Sequence, residues 1–332
     1  YANSHTEASY CGSYVTRMRR QARGEIARLT GATQDDTVIF AGSGATAGLN
    51  RLVSLLGIEE AEHPVVFIGP YEHHSNILPW RESKAKVIEI PENADGGVDM
   101  DALQQALMDH ADSDLKIGSF SAASNVTGIL TDPDPISRML HAYDALAVWD
   151  YAGGAPYLPI DMGGNGAARK DAVVVSPHKF PGGPGSSGVL IVNQKAVRRR
   201  CPSWPGGGTV SFVSPWSHEY SDDLAAREEA GTPNVIGDIR AALVFLVKEA
   251  VGQAEIEAKE EHFATMARKG WGDNPHLSLL GSPTASRLPI FSFLVTGASG
   301  APVHQQLFTR MLSDIYGIQA RGGCACAGPS AH

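Results

Sequence analysis

The chain has 332 residues, of which 43% are hydrophobic and 19% are charged, an ordinary composition for a globular protein. Its 27 Lys and Arg residues against 36 Asp and Glu residues give a formal net charge of −9, so attraction to nucleic acid or to an anionic membrane is not expected. Four cysteines are too few for a disulfide scaffold, and no apolar run is long enough to span a membrane. We therefore expect a cytoplasmic protein without a nucleic-acid or membrane partner. Because the sequence begins without Met, we also expect a fragment or a processed form.

Short apolar, β-branched runs bounded by Gly, Pro, Asp or Ser predict seven buried strands. They lie at 38–40, 65–68, 87–90, 117–120, 146–149, 173–175 and 189–192. Helical periodicity is clearest at 14–29, 44–56, 99–109 and 133–144. Strands that alternate with helices predict an α/β fold with a mostly parallel sheet. In such sheets ligands bind at the carboxyl ends of the strands.

The pattern changes near residue 233. A long helical stretch at 235–269 is followed by a strand near 287–295 and a helix near 302–316. We interpret this part as a smaller α+β domain. The predicted organisation is an N-terminal segment at 1–15, a large domain at 16–234 and a small C-terminal domain at 235–332, for which we allow truncation.

A lysine directly follows the sixth predicted strand, in the segment Ser176-Pro177-His178-Lys179, and a glycine-rich loop comes next. A lysine amine at such a strand end suits a Schiff base with an aldehyde, and partial burial there would favour the neutral amine. Ser176 and His178 could donate hydrogen bonds to a phosphate. A surface lysine in a glycine-rich hairpin explains the segment equally well.

A glycine-rich turn, 42–46, lies between the first strand and a helical pattern. Backbone amides at a helix N-terminus bind anions, and Ser43 or Thr46 would add a hydroxyl. The spacing fits neither a Walker A loop nor the dinucleotide fingerprint. A turn without a ligand is the alternative.

Three further polar motifs also follow predicted strands. His73 could stack on an aromatic cofactor ring, whereas a metal site lacks a third ligand at a convincing spacing; an N-cap at Ser75 accounts for part of this motif without any function. Asp150 could pair with a pyridinium nitrogen or merely cap a turn. Asn125 lies in the third motif, 121–128.

The chain closes with an Arg-Gly-Gly-Cys-Ala-Cys segment at 321–326. Arg321 could bind a substrate carboxylate through two hydrogen bonds. A cysteine in a glycine-rich loop near an arginine is a candidate nucleophile. Cys324 and Cys326 are separated by one residue, which is closer than the usual zinc or thioredoxin pair.

In this order, the motifs resemble those of the fold-type I enzymes of the class V aminotransferase and cysteine desulfurase family, nearest the group II desulfurases and selenocysteine lyases. The resemblance covers residues 1–329 and implies pyridoxal 5′-phosphate (PLP) as cofactor, a small amino acid as substrate and a homodimer. The implied roles are Lys179 as the Schiff-base lysine, Ala45, Thr46, Ser176 and His178 at the phosphate, His73 on the ring, Asn125 near O3′ and the substrate, Asp150 at the ring nitrogen, Thr232 at the phosphate of the neighbouring subunit, Arg321 at the substrate carboxylate and Cys326 as the sulfur acceptor. The catalytic residues in this scheme are Lys179, Cys326 and His73. No metal is expected.

Two departures leave the reaction open. Relatives carry Gln or His where this chain has Gly153, and group II desulfurases often have His-His where it has Cys324-Ala325. The resemblance favours C–S bond cleavage in a cysteine desulfurase-like reaction, with a possible sulfur-acceptor protein. An aminotransferase, epimerase or lyase without a persulfide is the alternative, and a catalytically inactive scaffold is a third.

Overall fold

The computed structural model describes residues 6–327, so the ends of the predicted N-terminal segment and C-terminal domain, 1–5 and 328–332, lie outside the described residues. The strands are β1 (Asp36–Gly42), β2 (Pro64–Ile68), β3 (Lys86–Glu89), β4 (Leu115–Ser121), β5 (Leu146–Asp150), β6 (Ala172–Val175), β7 (Gly188–Asn193), β8 (Val210–Val213), β9 (His218–Tyr220), β10 (Leu277–Leu279) and β11 (Phe293–Val295). The helices are α1 (Tyr10–Leu29), α2 (Gly44–Leu55), α3 (Leu78–Arg81), α4 (Met100–Asp109), α5 (Pro133–Ala142), α6 (Leu224–Glu228), α7 (Val235–Val251), α8 (Gln253–Trp271) and α9 (Gln305–Tyr316).

One sheet of seven strands, in the order β1-β7-β6-β5-β4-β2-β3, organises the molecule. β7 runs antiparallel to both of its neighbours, and the other pairs are parallel. All seven predicted strands lie in this sheet, which confirms the predicted α/β fold with a mostly parallel sheet. The carboxyl ends of β4, β5 and β6 consequently share one edge, where Ser121 lies opposite Asp150.

Helices cover both faces of this sheet, which is why its central strands are apolar without alternation. On one face α2 packs Leu49 and Leu52 against strand residues such as Val66. On the other, α1, α4 and α5 bury apolar side chains against residues such as Phe67 and Trp149. The neighbouring β2 residues Val66 and Phe67 thus point to opposite faces of the sheet, as the two-residue period of a strand requires.

The sequence predicts one long helical stretch at 235–269, but the structure has two helices there. The break is Gly252, whose φ of 88° lies in the region that favours glycine. α7 buries Ala241 and Phe245 in the same core as the sheet, although it follows the predicted domain boundary at 234. The division into domains stays a prediction, and this packing favours a boundary at Gly252.

The part after α8 is only partly as expected. The predicted strand near 287–295 is confined to β11, which pairs with β10, a strand that the sequence pattern does not predict. Arg287 instead forms a single bridge with Ile129, next to the large sheet. α9 corresponds to the predicted helix near 302–316. Within residues 6–327, no helix is long and apolar enough to cross a membrane.

Candidate active site

A cavity of about 180 Å³ opens at the carboxyl edge of the sheet. It contains all of the predicted cofactor-binding residues except Thr232. Its lining is formed by Ser43, Ala45, Thr46, His73, Ser75, Ser121, Ala123, Asn125, Asp150, Ala152, Gly153, Ser176, His178 and Lys179. Motifs far apart in sequence converge here because each follows a strand or turn at the same edge.

One end of the cavity is suited to an anion. The backbone N–H of Ala45, in the first turn of α2, donates to Ser176 Oγ at 2.9 Å, and Thr46 Oγ1 lies 2.7 Å from Ser75 Oγ. Gly44 has a φ of 64°, and a Cβ there would lie 2.7 Å from His178 Cε1. Glycine therefore lets the helix start approach the other motif, and together they gather hydroxyls and amide groups at a helix N-terminus.

Lys179 ends a short 3-10 helix, Pro177–Lys179, directly after β6. The side chain is exposed to the open cavity, so the expected partial burial of the amine is wrong for this structure. Its charge acts on three titratable neighbours in the site, His73, Asp150 and His178. Burial lowers the pKa of His73 and the Lys179 charge lowers it further, whereas burial raises the pKa of Asp150, opposed by the N–H of Ala152 and by Lys179. The amine therefore lies near both His73 and Asp150.

Asp150 is the last residue of β5 and is buried. Its Oδ1 accepts the Ala152 N–H at 2.7 Å, so the carboxyl also closes the local turn. The turn-capping interpretation of the sequence motif is thus correct, and the same side chain also lines the cavity. Its pairing with a ring nitrogen stays a prediction.

A second buried carboxyl, Glu72, lies behind the cavity wall and was missed by sequence reasoning. Its oxygens accept from Ser121 N at 2.9 Å, from Ser121 Oγ at 2.6 Å and from Asn76 Nδ2 at 2.5 Å. Burial raises the pKa of Glu72 to about 7, while the hydrogen bonds from Ser121 and Asn76 oppose the rise and the nearby Asp150 adds to it. An acid beside two histidines looks solvated in sequence, so no local signal reveals this burial.

His73 is oriented by its own turn. Its Nδ1 accepts from Ser75 N at 3.1 Å and lies 3.1 Å from Ser75 Oγ. Because Nδ1 is an acceptor, the neutral ring carries its proton on Nε2. His73 is the N-cap of the short 3-10 helix His74–Asn76, so the predicted N-cap at Ser75 is wrong.

The chain segment 325–327 lies against the edge of the cavity. Ala327 forms an antiparallel bridge with His73, and His74 N donates to Cys326 O at 2.8 Å. Asn125 Nδ2 donates to Ala325 O at 2.8 Å, while its Oδ1 is buried without a hydrogen-bond partner. Cys326 is thereby held beside the site, although neither it nor Arg321 is among the lining residues.

Arg321 is exposed and contacts the cysteine segment. One of its guanidinium nitrogens donates to Cys324 O at 3.0 Å and lies 3.6 Å from Cys326 Sγ. Its charge also lowers the pKa of His73, after burial and the charges of Lys179 and His74. The structure therefore brings the predicted substrate arginine and sulfur acceptor together near His73.

The model of the aminotransferase class-V family matches residues 1–332. The chain belongs to this family. Probable cysteine desulfurases of Vibrio cholerae and Streptomyces coelicolor are each 28% identical to it, over 99% of this chain and 78% and 77% of their own length. The solved cysteine desulfurase of Thermococcus onnurineus has a TM-score of 0.81 at 23% identity, covering 99% of this chain and 79% of that one. Cysteine desulfurase CsdA of Escherichia coli has a TM-score of 0.80 at 24% identity, covering 96% and 77%.

These comparisons confirm the predicted family, enzyme class and fold. Class-V aminotransferases are PLP-dependent enzymes of fold type I. Thr232 is the predicted cofactor-binding residue that the structure leaves outside the cavity, on an exposed loop after α6. Glu229, at the start of this loop, accepts the Phe40 N–H at 2.7 Å, which fixes the loop to β1. Within residues 6–327, no three His, Cys, Asp or Glu side chains converge as metal ligands.

Proposed function

We propose that the chain binds PLP through Lys179 and cleaves the C–S bond of a small amino acid, cysteine, with Cys326 as the sulfur acceptor. The observation that carries this proposal is the convergence of Lys179, Asp150 and His73 on one cavity, with Cys326 held at its edge. The relatives named as cysteine desulfurases support it.

The residues present fit PLP at three places. The start of α2 with Thr46 and Ser176 offers amide and hydroxyl groups to the phosphate. Asp150 offers a buried carboxyl to the ring nitrogen. Asn125 Oδ1 is buried without a partner, and a buried acceptor of this kind calls for a donor, which a ligand hydroxyl would supply. These are the groups that the ring and phosphate of PLP require.

When bound, PLP supplies a ring that delocalises the electron pair left at the substrate Cα. Lys179 would move the Cα proton. The Asp150 carboxylate would stabilise the protonated, positively charged form of the ring nitrogen. Arg321 orients the substrate carboxylate. Cys326 Sγ then attacks the substrate sulfur: an S–S bond forms, the Cβ–S bond breaks, and its electron pair stays on Cβ, which takes a proton to give alanine.

The test is to give the PLP-loaded protein L-cysteine and to measure alanine and the sulfur carried by each cysteine. Cys326→Ser should form no persulfide while it keeps the visible absorbance of the bound cofactor. Cys201→Ser is the control, because Cys201 is a free thiol outside the cavity lining. Unchanged persulfide formation in Cys326→Ser would show that the cysteine has been assigned wrongly.

Gly153 favours a second candidate, an aminotransferase, epimerase or lyase that forms no persulfide. A Cβ added at Gly153 would meet only Ala123 O, at 3.4 Å, so the cavity has open space where relatives carry a polar side chain. Transfer of the amino group to a keto acid, without sulfide release from cysteine, would favour this candidate.

We also propose a homodimer in which Thr232 reaches the phosphate site of the partner. Thr232 is exposed, and the nearby β8–β9 hairpin leaves large apolar side chains uncovered, including Phe212 and Trp216, which is 91% exposed. Such a surface is typical of a protein contact. Light scattering should give the mass of two chains, and Trp216→Ser should lower it. A cytoplasmic location and a sulfur-acceptor protein stay predictions.

A further inference from the structure

The Cys-Ala-Cys turn, residues 324–326, carries two thiols where the proposed reaction uses one. Gly323 and Cys326 both have positive φ values, 88° and 54°, so the backbone turns directly before Cys324 and again at Cys326. Cα atoms two residues apart are separated by at most about 7 Å. A separation of that size overlaps the range of about 4.4–6.8 Å that a disulfide spans.

The two cysteines have different surroundings. Cys326 is half-buried, and its carbonyl accepts the His74 N–H at 2.8 Å. Cys324 is exposed, and only its carbonyl, not its sulfur, has a hydrogen bond among those found in residues 6–327, the one from Arg321. The Cys324 side chain is therefore free to turn towards Cys326, which is fixed.

Arg321 ties the two residues together. The same guanidinium nitrogen contacts Cys324 O at 3.0 Å and Cys326 Sγ at 3.6 Å. Cys326 Sγ consequently lies on the side of the turn where the Cys324 backbone is. A non-glycine residue in the left-handed region is strained, and such strain is concentrated at functional positions.

We propose that Cys324 is a resolving cysteine, which attacks Sγ of persulfidated Cys326 and releases the carried sulfur as hydrosulfide. This rests on the proposed function, since that reaction loads Cys326. The Sγ–S bond of the persulfide breaks, a Cys324–Cys326 disulfide forms, and the outer sulfur leaves with the electron pair. The two cysteine sulfurs are oxidised and the carried sulfur is reduced to sulfide. A dithiol reductant then restores both thiols.

The first experiment uses PLP-loaded protein carrying Cys11→Ser and Cys201→Ser, which remove the other two exposed thiols. One equivalent of L-cysteine is added without reductant, and alanine, sulfide and the masses of the cysteine peptides are measured. We expect one sulfide per alanine and a disulfide within 324–326. With Cys324→Ser added, sulfide should fall at least tenfold until a dithiol is supplied, with the sulfur retained on Cys326.

Equal sulfide release with Cys324→Ser, or a stable persulfide in the parent protein, would overturn the proposal. If no alanine forms, the proposed function has failed instead, and a second experiment tests the cysteine pair without it. The full chain carrying Cys11→Ser and Cys201→Ser is given half an equivalent of 4,4′-dithiodipyridine. A resolving pair releases two thiopyridones per probe molecule, whereas the Cys324→Ser protein releases one. One per probe in the parent protein would show that Cys324 does not reach Cys326.

Discussion

Glu72→Gln tests the buried network behind the cavity. Glu72 Oε2 accepts from Ser121 Oγ and from Asn76 Nδ2, and Oε1 accepts from Ser121 N. Asn76 cannot turn its amide round, because its Oδ1 already accepts from Ser119 Oγ and Trp80 Nε1. A glutamine can keep the bond from Ser121 N, but its own amide group would face the Asn76 amide, donor against donor. That mismatch costs about 1–3 kcal/mol at any pH.

The charge adds a contribution that depends on pH. In the unfolded chain the pKa of Glu72 is 4.5, and burial, the largest influence, raises it to about 7 in the fold. Between these values the unfolded chain releases a proton that the folded chain keeps, so the contribution to stability that is fully present below pH 4.5 is lost as pH rises to about 7. At about 1.4 kcal/mol per pH unit, the loss is about 3 kcal/mol. Glutamine does not titrate, so the variant should not lose stability in this way as the pH rises.

The free energy of unfolding should therefore be measured by urea denaturation of both proteins, without cofactor, from pH 4.5 to 8. The variant should be the less stable protein at pH 4.5, and the difference should change by about 3 kcal/mol in its favour by pH 8, so that the variant is then at least as stable as the parent. Glu82→Gln, at an exposed glutamate, is the control and should show no such trend. A deficit that stays constant across the range would refute the burial argument for Glu72.

Two further substitutions probe the cavity. Gly44→Ala should lower the free energy of unfolding by about 1–3 kcal/mol more than Gly42→Ala does, as measured by urea denaturation. Both glycines have positive φ, but only at Gly44 would the new methyl group meet His178. Equal losses of stability would contradict the close approach. Asp150→Asn should slow alanine formation from cysteine by roughly a hundredfold while the cofactor stays bound, because the amide carries no charge opposite the ring nitrogen; an unchanged rate, with bound cofactor verified by absorbance, would remove Asp150 from this role.

The sheet could be predicted because its strands are buried on both faces and therefore read as continuous apolar runs. The same reasoning places polar residues after strands together, as it does for Asp150 and the segment ending at Lys179. It does not locate Gly252 as a break, because α7 and α8 both have helical periodicity and only the backbone angle separates them. β10 was missed because three residues carry too short a pattern.

Within the site, the missed residues depend on tertiary contacts. Ser75 meets Thr46 across 29 positions of the chain, and the burial of Glu72 arises only once Ser121 on β4 closes over it. The exposure of Lys179 likewise follows from the open cavity rather than from the strand that precedes it. Arg321 and the cysteine pair were candidates from local chemistry, but only the resemblance connected Arg321 and Cys326 to this cavity, since no periodicity links them to residues far earlier in the chain.

Asn125 connects the proposed cofactor site to the cysteine turn. Its Nδ2 must be the atom that faces Ala325, because a carbonyl oxygen can only accept, and the bond is 2.8 Å. Its Oδ1 consequently faces the other way, buried and without a partner. A group that donates to Oδ1 fixes the amide plane, and the amide plane fixes the carbonyl next to Cys326. Asn125→Asp would keep the acceptor and lose the donor, so it should loosen the cysteine turn while it spares the contact to a ligand hydroxyl. The expected result is faster alkylation of Cys326 with unchanged PLP affinity. Unchanged alkylation with weaker PLP binding would show that the two sites are independent.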